Sequence, residues 1–191
     1  MGSSLFIGRF DRSALRKVAR DYVAASSDLA PADQAALCKA WERAPKEVAY
    51  VDALNLASIV LFLKHTAELE GVAVKGTGEN SRWRHLPYWI YSHWLPVRTA
   101  EARVVEGLEA APLFFGSAYA LLDDLAAIAA LSPLKLGTTP PYFELMLADP
   151  REFYDLTLAP FEDQTTIQWI WRALFEGAQL SIKHNAPLRS A

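Results

Sequence analysis

Residues 45–71 read PKEVAYVDALNLASIVLFLKHTAELEG, and this stretch decides the fold. Val48, Val51, Leu54, Leu56, Ile59, Val60, Phe62 and Leu63 spread apolar side chains over most of a helical circumference. A helix that is apolar nearly all round belongs at the centre of a domain. Pro45 suits the first helical turn, where a missing N–H costs nothing. Gly71 suits the position just past a helix end. The stretch therefore predicts one long central helix over 45–70. Asp52, Asn55 and Ser58 recur along it at i, i+3 and i+6. That stripe reads as the exposed edge of the helix; the alternative is that Asp52 and Asn55, with His65, line a cavity.

Working outward, the same period continues. Leu15, Val18, Ala19, Tyr22 and Val23 form one face of a helix over about 11–26. Pro31 opens a second helix, which carries Leu37, Ala40 and Trp41 inward and stops before Pro45. Downstream, 71–81 reads as a loop of turn formers. Thr99 and Glu101 suit the cap and first turn of a helix that ends before Pro112. Another helix is expected from Pro112 to about Leu131. Thr139-Pro140 and Asp149-Pro150 open two short helices, and Asp149 with Glu152 resembles a capping box. A last helix runs from about Gln164 to Ile182, with Ile167, Ile170, Trp171, Leu174, Phe175 and Ala178 on one face. No stretch alternates apolar and polar residues over six positions, and Val72–Lys75 is the only strand-like fragment. The expectation is an all-α fold: one domain over 1–191, a bundle of six to eight helices around 45–70, with frayed ends at 1–8 and 183–191.

Composition bounds the class. The chain has 191 residues, 52% of them hydrophobic, with a net charge of −3 and a single cysteine, Cys38. Enough apolar surface is present to exclude disorder over most of the length. One thiol excludes an internal disulfide. An acidic balance argues against nucleic-acid binding. Both of the longest uncharged stretches, 53–63 and 110–122, are too short to span a membrane. No targeting segment is visible, so a soluble cytoplasmic protein is expected. The charges are nonetheless segregated. Arg9, Arg12, Arg16, Lys17 and Arg20 stand near the start against Asp11, and Glu144, Asp149, Glu152, Asp155, Glu162 and Asp163 stand together against Arg151. Such polarity is either solvated surface or a face shaped for a charged partner.

Motifs that carry chemistry are weak. His65 and Glu68 stand at i, i+3, but a helical metal site needs a second such pair, which the sequence lacks. Asp123 and Asp124 are adjacent carboxylates without a further acid three or four residues on, where Ala126, Ala127 and Ile128 stand. They read as a solvated stripe or as partners for Arg103 or Lys135. There is no Gly-x-Ser-x-Gly and no phosphate loop, and Cys38 lies on an amphipathic helix with no histidine nearby in sequence. No metal and no cofactor are expected, and the balance leans away from an enzyme.

The most unusual stretch is 82–94, RWRHLPYWIYSHW, which holds three of the six tryptophans. Tryptophan, tyrosine and arginine are enriched in interface hot spots. Pro87 forbids one smooth helix here, so some rings are expected at the surface. The candidate binding residues are therefore Arg82, Trp83, Arg84, His85, Tyr88, Trp89, His93 and Trp94. Asp149, Glu152 and Asp155 join them from the acidic stretch. Core filling is the plain alternative for the rings. The expected function is a non-catalytic helical module that binds another protein, of the kind bacterial immunity proteins and antitoxins exemplify when they neutralise a partner enzyme. The alternative is a small helical enzyme or ligand carrier with a pocket between the central helix and 82–94.

Overall fold

The structure is a computed structural model. It describes residues 2–26, 29–46, 49–71, 82–86, 92–98, 101–105, 112–134, 136 and 163–190. The short helices expected near 140 and 150, the fragment 72–75, and Tyr88, Trp89, Asp149, Glu152 and Asp155 lie outside the described residues.

The all-α expectation is overturned. The described chain is a mixed α/β fold with six strands and five helices. The strands are β1 (Gly2–Ile7), β2 (Ala49–Asn55), β3 (Ser92–Leu95), β4 (Arg103–Val105), β5 (Leu113–Ser117) and β6 (Leu188–Ser190). The helices are α1 (Ser13–Ser26), α2 (Pro31–Arg43), α3 (Leu56–Glu70), α4 (Ala118–Leu131) and α5 (Asp163–His184). One sheet runs in the order β2-β1-β6-β3-β5-β4. Among the described residues, only β3 and β5 pair in parallel; the other pairings are antiparallel.

Helices cover both faces. On one face Leu5, Ile7, Trp94, Phe114 and Leu188 meet Ile59 and Phe62 of α3, Leu121, Leu125 and Ile128 of α4, and Ile170, Trp171 and Leu174 of α5. On the other, Phe10, Leu95, Val97, Leu113 and Phe115 meet Ala19, Tyr22 and Val23 of α1 and Cys38 and Trp41 of α2. This double cover removes the strand signal from the sequence. A strand buried on both faces loses the apolar–polar alternation and reads as a continuous apolar run. Every residue of β3 and β5 is buried.

The stretch 45–70 is not one central helix: 49–55 is strand β2 at the edge of the sheet, and only 56–70 is helical. The central helix of its layer is α5, which packs against α3, α4 and β1. The helices expected after Thr99 and from Pro112 give way to strands β4 and β5, and α4 starts only at Ala118. The termini expected to fray are strands: β1 lies between β2 and β6 with Leu5 and Ile7 fully buried, and β6 lies between β1 and β3. The turn from α5 into β6 has a defined form. Asn185 adopts φ +47, a left-handed conformation that asparagine tolerates. Its N–H donates to Ile182 O, and Ala186 N–H donates to Ser181 O, which closes a Schellman motif.

Candidate functional site

The parallel strands β3 and β5 end level with each other, Leu95 opposite Ser117. α4 begins at once. Ser117 is its N-cap, with a side chain that accepts from Ala120 N–H at 3.2 Å and donates to Val97 O at 2.6 Å. The carboxyl ends of strands beside a helix N-terminus are where open α/β sheets hold ligands. Here the turn 82–86 occupies that position.

His85 ties the turn down through three different atoms. Its backbone N–H donates to Asp124 Oδ2 at 3.0 Å. Its carbonyl accepts from Trp94 Nε1 at 2.6 Å. Its ring Nδ1 accepts from Ser117 N–H at 3.0 Å. An accepting Nδ1 fixes the neutral tautomer with the proton on Nε2. Gly116 makes room for this arrangement. A Cβ there would stand 3.1 Å from His85 Nδ1, from Phe114 Cε1 and from Trp94 Cδ1.

The ionisation of the site follows from its burial. Desolvation first, and then the Arg84 charge, push His85 down to about 4. Burial pushes the Asp124 carboxyl up to about 6 against the opposing His85 N–H bond, and the charges of Asp123 and Glu70 add to the rise. Both groups are therefore neutral around pH 5. Glu70, at the end of α3, faces Arg82 at 3.8 Å. The Arg82 guanidinium lies 4.0 Å from the centre of the Trp83 ring.

The candidate binding residues thus separate into groups. Trp83, His85 and Leu86 are buried, as are His93 and Trp94 of β3. Arg82 and Arg84 are exposed. His85 and Trp94 meet on the face covered by α3, α4 and α5. His93 lies on the opposite face, stacked on Phe115 at 4.9 Å and 5.6 Å from Phe10. The described tryptophans of this stretch fill core.

Asp52 and Asn55 lie on strand β2 rather than on a helical stripe, while Ser58 is buried on α3. His65 is half-buried, its Nε2 3.0 Å from Ser132 Oγ, and burial lowers its pKa. Asp124 serves neither Arg103 nor solvent alone: it holds the 82–86 turn. No sequence signal pairs Asp124 with His85, 39 residues away. A serine at the junction of an apolar run and a helical one, however, could have located the Ser117 cap. Among the described residues, no group of three or more histidine, cysteine or acidic side chains stands close enough to hold a metal ion. No described helix is long and apolar enough to cross a membrane. Comparison with protein-family models, curated proteins and solved structures finds no match.

Proposed function

We propose that the chain is a protein-binding module that presents Arg82 and Arg84 to an acidic patch on its partner. One observation carries this reading. The turn 82–86 alternates exposed arginines with residues locked into the core, so the two guanidiniums stand on a backbone held by three hydrogen bonds of His85. Arginine is over-represented among residues that dominate binding energy. Holding it on a fixed backbone before contact lowers the entropy lost on association. In this reading the protein covers a partner enzyme in the manner of immunity proteins and antitoxins, and it works in the reducing cytoplasm, where the buried thiol of Cys38 stays free.

The test is parallel affinity capture from the native source with the wild-type chain and with Arg84→Glu, followed by mass spectrometry. A protein retained by the first and lost by the second, at unchanged melting temperature, supports the proposal. An identical set of captured proteins refutes it.

A second reading has its own observation. Asp124, a carboxyl pushed up to about 6 by burial, accepts the backbone N–H of His85, whose imidazole is neutral, at the carboxyl ends of parallel strands. Perturbed groups of this kind concentrate at functional sites. A small enzyme or ligand carrier would use Asp124 to exchange a proton or to hold a polar group. Thermal-shift screening of a metabolite library on the wild type and Asp124→Asn tests it: a ligand that stabilises only the wild type supports it, and a library without such a ligand rejects it.

A further inference from the structure

The opposite face of the sheet carries a second charged surface. α1 and the chain entering it expose Arg9, Arg12, Lys17 and Arg20. Arg16 N–H donates to Arg12 O, so the row Arg12, Arg16, Arg20 follows the helix at four-residue steps, each about 6 Å. Arg16 is half-buried, and one Nη1 donor is committed to Phe10 O at 3.2 Å. A guanidinium has five N–H donors, so others remain for a ligand. Beside this row a shallow dimple of about 10 Å³, open to solvent, lies between α1 and α2; Phe10, Arg16, Arg20, Cys38, Trp41 and Glu42 line it. Arg20 reaches Glu42 at 3.8 Å, with both side chains well exposed.

The surroundings sharpen the contrast. Residues 1–46 hold eight basic and five acidic residues, whereas 47–191 hold eleven basic and seventeen acidic. The net basic excess therefore lies in the segment that holds α1 and α2, and the rest of the chain carries a net acidic excess.

We propose that the exposed basic row of α1 docks an acidic segment of a partner protein, with its carboxylates spaced along Arg9, Arg12, Lys17 and Arg20 beside the Arg20–Glu42 pair. Complementary charge gives such a surface its register and its association rate. Two features favour a protein over a polyphosphate. Asp11, Asp21, Asp33 and Glu42 are exposed in the same layer and would repel an unbroken line of phosphates. A single-stranded nucleic acid also wants aromatic faces for its bases, and Phe10, Tyr22 and Trp41 are buried here. A membrane surface is disfavoured for a related reason: the exposed flank of α1 offers alanines and no aromatic or leucine anchor. The surface lies across the sheet from the 82–86 turn and is independent of the reading given to that turn.

The test uses the whole chain and three anionic probes at low, matched salt: a ten-residue peptide alternating glutamate with glycine, whose spaced carboxylates suit the interrupted positive surface, a ten-residue deoxythymidine oligonucleotide, and vesicles containing phosphatidylserine. Binding is followed by the Trp41 indole N–H resonance, because Trp41 forms part of the dimple wall. The glutamate peptide is expected to bind best and to shift Trp41, with an affinity that falls as salt shortens the Debye length. Arg12→Glu with Arg20→Glu should weaken it about tenfold or more. Lys17→Glu, which leaves the Arg20–Glu42 pair intact, should weaken it less. Arg84→Glu, on the other face, should leave it unchanged, which separates failure here from failure of the turn reading. Tighter binding of the oligonucleotide or the vesicles, an unshifted Trp41 resonance, or equal affinity in the Arg12/Arg20 variant overturns the proposal.

Discussion

Replacing Asp124 by Asn should make the protein lose stability in acid faster than the wild type does. In the unfolded chain at pH 5 the imidazole of His85 carries the proton and the Asp124 carboxyl does not, because their ordinary values are 6.5 and 3.8. In the folded protein these values become about 4 and about 6, so the carboxyl carries the proton and the imidazole does not. Folding moves the proton between the groups without changing how many the pair binds, and stability responds only to that number. The signs run in opposite directions. The depressed His85 contributes stability that is complete above pH 6.5 and is lost as pH falls towards 4. The raised Asp124 contributes stability that is complete below 3.8 and is lost as pH rises through 6. For His85, buried to 4% exposure, the loss between pH 6.5 and 4 is on the order of 3 kcal/mol. Asp124 is only half-buried, so its opposing gain, discounted for solvent screening, is roughly 1–2 kcal/mol. Asparagine keeps an oxygen to accept the His85 N–H but cannot titrate, so the variant forfeits that gain. Urea unfolding of both proteins at pH 6.5, 5.2 and 4.0 measures the difference, and all other titrating groups cancel in the subtraction. The gap should shift against the variant by roughly 1–2 kcal/mol as pH falls across this range. A gap that stays constant within about 0.5 kcal/mol, or moves the other way, would refute the assignment of neutral forms to the pair.

Two other substitutions probe the same junction. Gly116→Ala sets a methyl 3.1 Å from three buried ring atoms at once, and denaturant unfolding should show a loss of about 1–3 kcal/mol; an unchanged midpoint would mean that the rings move apart freely. Trp94→Phe leaves the buried His85 carbonyl without its donor and opens space beside Phe114, so about 2–4 kcal/mol should be lost, with an unchanged denaturant slope; a loss below 1 kcal/mol would show that the 2.6 Å bond is dispensable.

What the sequence revealed and what it hid both follow from which faces of an element are buried. α1 was legible because one side meets Phe115 and Leu95 while the other meets water, so Leu15, Val18, Ala19, Tyr22 and Val23 stand out at helical spacing. α5 was legible from the helical spacing of Ile167, Ile170, Trp171, Leu174 and Ala178, although its central place was not. β3 and β5 were hidden because helices cover both of their faces, and a run such as Leu113-Phe114-Phe115 is as apolar as a buried helix. β2 was hidden by continuity. Its Val51 and Leu54 run into the apolar residues of α3 at Leu56 without a proline or glycine between them, so one helical period absorbed both elements. The six residues of β1 could not show that β2 and β6 would sandwich them, because strand pairing is set by partners dozens of residues away.

The site divides along the same line. That 82–94 stands apart in composition was legible from its aromatic and basic content. Which of its residues face outward was not, because that depends on three hydrogen bonds from His85 to Asp124, Trp94 and Ser117, none of which has a local signature. Those bonds reverse the expected division of labour. The described rings, Trp83 and Trp94, hold the turn from inside, and the exposed chemistry passes to Arg82 and Arg84. Rings in such a segment are exposed only where no second layer waits to cover them. Around Trp83 and Trp94 the helices α3, α4 and α5 supply that layer, so these two described rings belong to the core while Arg82 and Arg84 on either side of Trp83 stay exposed.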